Sequence, residues 1–238
     1  MPYIKRETFA GKTVRVQKHY SARIGTPGIK RGPNQSKSSE QVKKQNERNA
    51  KKNLTDLLCE NFGKNDMHIV LTYARQYAPT PEESKKDLDK FLRKARKVYQ
   101  KAGKELKYIA VTEYKNKRIH HHLIVNAIDA GALQQVWEYG KLRPTYLDGT
   151  GDYKQLAEYL IKETAKTYAM DDAPQKKRYT CSRNLKRPQV RVRKQSPKTW
   201  RPTPRIPKGY MLIPDSLYNG FDLYGFPVQE YRLLKLGG

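Results

Sequence analysis

Cysteine is nearly absent. Cys59 and Cys181 are the only two in 238 residues, far apart and in no repeating pattern. That excludes a disulfide framework and a zinc ribbon, and it points to a reducing cytoplasm. Acid is scarce where base is abundant: 49 Lys and Arg stand against 23 Asp and Glu, a net charge of +26. Residues 8–39 carry no acid, and residues 173–214 hold thirteen Lys or Arg with no acid. No apolar run approaches the ~20 residues of a membrane span. The opening MPYIKRETF lacks the apolar core of a secretory signal. No long apolar amphipathic stripe favours a membrane surface. The phosphate-binding pattern GxxxxGK[ST] is missing, so an ATP-driven motor is not expected in this chain.

What is present points to a polyanion. A pI near 10.0 suits nucleic acid. Tyrosine outnumbers phenylalanine by 17 to 5. A ring with a polar tip can stack on a base and still face water.

The chain divides by composition. Residues 1–37 are basic and punctuated by Gly and Pro, with a β-like stretch at Thr13–Ile24, and read as an arm that orders only on a partner. Residues 38–170 read as one folded domain. A helix at 38–62 is capped by Ser38 or Ser39, and a buried strand spans 67–73. A helix at 82–102 follows Pro79-Thr80-Pro81 and stops at Gly103, and a hairpin covers 106–126. Asp129 caps a short helix ending near Tyr139, a strand covers 141–148 and a helix 152–168. Residues 171–238 read as a basic, Tyr- and Pro-rich extension with one β-like patch at Tyr210–Pro214. Interleaved as β-α-β-β-α-β-α, the elements predict an α+β fold with a mostly antiparallel sheet.

The hairpin carries the first chemical signal. The runs 106–114 and 119–126 flank the polar Lys115-Asn116-Lys117-Arg118, a four-residue loop. If Tyr114 pairs with Ile119, Glu113 faces His120 and Val111 faces His122. Strand alternation then puts Glu113, His120 and His122 on one face and His121 on the other. One carboxylate and two imidazoles suit a six-coordinate divalent ion, Mn²⁺ or Mg²⁺, with positions left for water or phosphate oxygen. A slip of one residue would turn Glu113 away.

The last helix carries the second signal. Tyr153, Leu156, Ala157, Leu160, Ile161 and Thr164 form its apolar stripe. Tyr159, Lys162 and Lys166 lie opposite. A phenol needs its anion stabilised before it attacks, and neighbouring ammonium groups do that.

In this order the features resemble the three motifs of rolling-circle replication initiators. These are HUH endonucleases of bacterial mobile elements and phages. The three are an apolar strand ending in Thr (HIVLTY), His-x-His on a strand, and Tyr-x-x-Lys on a helix (YLIK). The run KKRYTCSRNLKRP is similar to segments that follow the catalytic helix in such proteins. His121 departs from the usual hydrophobic middle residue. The resemblance implies an RRM-like fold with a central antiparallel sheet. It implies His120 and His122 as metal ligands with Glu113 as the third, Tyr159 as the single nucleophile and Lys162 as its helper. Lys166, Lys176, Lys177, Arg178, Arg183, Lys186 and Arg187 are the expected DNA contacts. The implied reaction nicks single-stranded or locally unwound origin DNA through a 5′-phosphotyrosine. The free 3′-hydroxyl primes a host polymerase, and a host helicase unwinds the duplex. A conjugative relaxase or single-tyrosine transposase shares that chemistry; relaxases usually draw a third His from elsewhere, but His19 and His68 lie in weaker contexts here than Glu113. A basic nucleic-acid-binding protein without catalysis would share only the charge.

Overall fold

The computed structural model describes residues 3–21, 40–114, 118–168, 177–222 and 225–237. In chain order these form β1 (Tyr3–Ala10), β2 (Thr13–Tyr20), α1 (Glu40–Asn61), β3 (Met67–Tyr73), α2 (Pro81–Lys101) and β4 (Tyr108–Glu113). Then come β5 (His120–Val125), α3 (Ala130–Val136), β6 (Gly140–Tyr146), α4 (Lys154–Tyr168) and β7 (Thr180–Cys181). The last are β8 (Gln189–Gln195), β9 (Tyr210–Leu212), β10 (Tyr218–Phe221) and β11 (Pro227–Lys235). The chain makes two compact units, Glu47–Lys186 and a second built from Met1–Asn46 with Arg187–Gly238. No described helix is long and apolar enough to cross a membrane.

The Glu47–Lys186 unit follows from alternation in β3. Met67, Ile69, Leu71 and Tyr73 are buried, and the residues between them are half-buried. The buried side joins Leu88, Phe91, Leu92, Ala95 and Tyr99 of α2 with Leu133 and Trp137 in one core. Each Leu, Ile, Met or Phe side chain removed from water there stabilises the fold by roughly 1.5–3 kcal/mol. Helix α2 starts at a capping box, Thr80 with Glu83, and has Pro81 in its first turn. It ends where Gly103 takes a φ of 67°, a left-handed turn that costs glycine nothing. The sheet runs β6-β3-β5-β4-β7, antiparallel throughout. Helix α4 lies against β4 and buries Ala157, Leu160, Ile161 and Thr164. This is the α+β, RRM-like arrangement that the pattern implies. The helix expected to end near Tyr139 stops at Val136, because the chain turns there to let Gly140 begin β6.

The second unit was not expected as a sheet. Its strands run β10-β11-β2-β1-β8, with β9 pairing β11. Val14, Val16, Tyr231 and Leu233 form its core, with Phe9, Ile206, Tyr210 and Leu212 packed on it. Residues 3–20, read from sequence as part of an arm, are two of its strands. The reason is distance along the chain: Thr13 pairs with Leu234, so no local pattern shows the partner. The expected caps Ser38 and Ser39, residues 22–37 of the arm and the loop Lys115-Asn116-Lys117 lie outside the described residues.

Candidate metal centre and active site

Four strands present one face of the sheet as a grid. Across β4, β5, β3 and β6, one row reads Glu113, His120, Thr72, Lys141. The next reads Val111, His122, Val70, Arg143, and the third Ile109, Ile124, His68, Thr145. The β4–β5 register is the one that loop length and alternation predict. His121 points to the opposite side, fully buried. There Tyr73 Oη lies 3.0 Å from its Nε2 and Thr112 Oγ1 lies 2.9 Å from its Nδ1.

Ligand atoms of Glu113, His120 and His122 lie within 4.8 Å of one another. His120 Nδ1 is 3.0 Å from the carbonyl of Arg118. A carbonyl only accepts, so Nδ1 carries the proton and the Nε2 of the neutral ring is bare. That bare nitrogen sits 3.0 Å from Glu113 Oε2. Two lone pairs at that separation need a cation between or beside them, either a proton or a metal. Glu113 is 4% exposed, which sharpens the need.

His122 makes the same case independently. Its Nε2 is buried and has no hydrogen-bond partner among the described residues. An unpaired buried polar atom costs about 1–3 kcal/mol. Its Nδ1 lies 3.1 Å from Nε2 of His68, whose ring stacks on it with centroids 5.3 Å apart. Burial, with His68 and His120 nearby, pushes the His122 imidazolium down to about 3. Burial alone pushes His68 down to about 4. Both rings are therefore neutral at physiological pH, as metal ligation requires. One carboxylate and two imidazoles, each ring nitrogen turned away from the site having its own partner, fit a divalent cation.

Tyr159 stands beside this group. It leaves the buried stripe of α4, is 43% exposed, and its ring meets that of His122 edge-on, 5.4 Å between centroids and 90° between planes. Lys162, three residues on, is exposed.

An open cleft of about 760 Å³ runs from Glu113 and His120 past Arg75, Arg118, Lys141 and Arg143. Arg118 is held there by donating to the carbonyls of Ala74 and Arg75, at 3.2 and 2.6 Å. Four cations on the rim suit a phosphodiester backbone entering the site. Sequence reasoning missed these contacts, and it set His68 aside as a ligand without seeing its tie to His122. Lys141 and Arg143 flank buried Leu142 on β6, an alternation that could have revealed them.

Of the expected DNA contacts, Lys177, Arg183, Lys186 and Arg187 are exposed and Arg178 is half-buried. Lys166 sits in the last turns of α4, and Lys176 lies outside the described residues. Asn61 fastens the run at Lys186, donating to its carbonyl at 2.9 Å and accepting from its amide at 2.8 Å.

Residues 66–168 match the family model of the replication-associated protein ORF2/G2P. The match spans β3 to α4 and takes in Glu113, His120, His122 and Tyr159 together. It bears out the resemblance to rolling-circle replication initiators and supports a part in DNA replication. No curated protein and no solved structure matches the chain.

Proposed function

We propose that this replication-associated protein is an HUH-type endonuclease that nicks and rejoins one DNA strand at an origin, with Tyr159 as nucleophile. The observation that carries the reading is the buried, partnerless Nε2 of His122 converging with Glu113 and His120 beside the Tyr159 ring. Glu113, His120 and His122 hold the divalent ion, Mn²⁺ or Mg²⁺. When bound, it polarises the scissile phosphodiester and draws charge from the phosphorus oxygens.

The chain's own residues do the rest. Arg75, Arg118, Lys141 and Arg143 hold the strand by its phosphates and keep the scissile bond in line with the phenol. Tyr159 Oη forms a bond to phosphorus as the bond from phosphorus to the 3′-oxygen breaks. The phenolic proton is lost and the departing 3′-oxygen takes one up. The products are a 5′-phosphotyrosine and a 3′-hydroxyl from which a host polymerase can extend. Lys162 stabilises the phenolate and the phosphate charge. The ester is conserved, so the reverse attack reseals the strand without ATP. Unwinding falls to a host helicase.

The test is incubation with single-stranded origin DNA and Mn²⁺, followed by a denaturing gel. A protein-linked DNA product that EDTA prevents supports the reading. DNA binding with no cleavage under any divalent ion refutes it and favours the non-catalytic alternative.

A further inference from the structure

The second unit carries a row of like charges with no evident reason to be there. Lys5 of β1 pairs directly with Lys18 of β2 on one side and with Arg193 of β8 on the other. Like charges opposite one another across strands destabilise a sheet. Lys18 is the extreme case. It is only 8% exposed, and it has no carboxylate and no hydrogen-bond acceptor among the described residues. Its ammonium lies over the face of the Tyr231 ring, 5.6 Å from the centroid. Burial, and then Lys5, lower its affinity for its proton.

Lys18 and Tyr231 line a pocket of about 430 Å³ with Lys5, Arg201 and Arg205, and no acidic residue lines it among the described residues. Lys5 is offset by Glu7, but neither arginine is ion-paired among the described residues. The segment that brings Arg201 over the row is fastened there. Gln229, the partner of Lys18 on β11, donates to the carbonyls of Arg201 and Pro202, each at 2.9 Å.

We propose that this pocket is an anion site for a phosphodiester of a DNA strand, with Lys18 at its floor and Arg201 and Arg205 at its mouth. An entering phosphate supplies the counter-charge that Lys18 lacks and relieves the repulsion along the row. Arginine forks at the mouth suit the paired oxygens of a phosphate. The site is remote in sequence from residues 66–168, and its failure leaves the nicking reading untouched.

The experiment is a binding titration of the full chain with a fluorescein-labelled single strand, without divalent metal, across a salt series. Lys18→Met keeps the length of the side chain and removes the charge. It should lower the slope of log K against log salt by about 0.7, and weaken binding about fivefold at 0.1 M salt, as one lost phosphate contact does. Arg201→Gln and Arg205→Gln are exposed and should fold normally. They carry the test if Lys18→Met does not fold. Lys12→Met, an exposed charge outside the pocket, should have less than half that effect. Unchanged slopes in the pocket variants, or an equal loss in Lys12→Met, would overturn the proposal. So would inorganic phosphate that raises the melting temperature of the wild type but not of Lys18→Met at constant ionic strength, with DNA slopes unaltered. That result would assign the pocket to a free anion.

Discussion

His68 and His122 share one hydrogen bond, Nε2 to Nδ1 at 3.1 Å, between adjacent strands of the sheet. With His122 Nδ1 as donor, the bare nitrogen of that ring is Nε2, the buried atom left without a partner. In that tautomer His68 holds the ring angle of a proposed ligand. His68→Phe should weaken Mn²⁺ binding by about 10- to 100-fold, the usual loss when a ligand's supporting partner is removed. Calorimetric titration of Mn²⁺ measures this, with circular dichroism as a check on folding. A well-folded His68→Phe with unaltered Mn²⁺ affinity would dismiss the role.

His121 should prove structural. Leucine there would restore the hydrophobic middle residue of the resembled motif, but the Tyr73 and Thr112 hydroxyls would lose their shared partner. His121→Leu should therefore bind Mn²⁺ and cleave DNA normally at low temperature, yet be less stable by about 1–3 kcal/mol. Urea denaturation reads the stability. A variant as stable as the wild type that has lost metal binding would show the register to be wrong.

Tyr159→Phe removes one oxygen and leaves the ring edge against His122. Metal affinity and DNA affinity should hold, and the covalent DNA adduct should vanish. Mass-spectrometric peptide mapping of wild-type protein reacted with origin DNA should place the adduct on Tyr159. Lys162→Ala should slow cleavage without abolishing it. An adduct on Tyr153 or Tyr168 would refute the assignment.

Gly140 is needed for closeness rather than for an unusual φ. A Cβ there would lie 2.1 Å from the carbonyl oxygen of Thr72, where β6 meets β3. Neither backbone can yield without breaking the pairing that carries Lys141 beside Thr72. Gly140→Ala should destabilise by about 3 kcal/mol, at the high end for overpacking. Gly63→Ala meets nothing within 4 Å and should be nearly neutral. Thermal melts of the two variants make the comparison, and equal melting temperatures would contradict it.

Much of the Glu47–Lys186 unit was legible in the sequence because its signals are local. The period of α2, its cap at Thr80 and the short hairpin of β4 and β5 each lie within about twenty residues, a span that pattern reasoning handles well. The facing of Val111 with His122 and Glu113 with His120 followed from loop length alone. The tie of His68 to His122 was not legible. The His68 ring reaches His122 diagonally across two strands whose pairing the sequence does not declare. Lys141 and Arg143 were half legible: alternation about Leu142 puts them on one face, but only the pairing of β6 with β3 brings that face to the site. The second sheet was least legible of all. The Lys and Arg of β1, β2 and β8 read as a basic arm and a basic extension until their strand partners are known.

The pairing of β2 with β11 also orders events in time. Thr13 must wait for Leu234, and β1 must wait for β8, before either hairpin strand has a neighbour on its outer side. A growing chain therefore holds everything needed for the Glu47–Lys186 unit while the opening hairpin still has two unpaired edges. Closing so long a loop is slow, and exposed edges invite the wrong partner. A nascent chain stopped after Lys186 should protect β3 and α2 from protease and leave Arg15 and Lys18, both buried in the full chain, open to trypsin. The full chain should close those sites. Early protection of the hairpin would mean that it folds without its distant strands. If the order holds, a late frameshift spares the unit that bears Tyr159 and the proposed metal ligands, and costs the protein its other sheet.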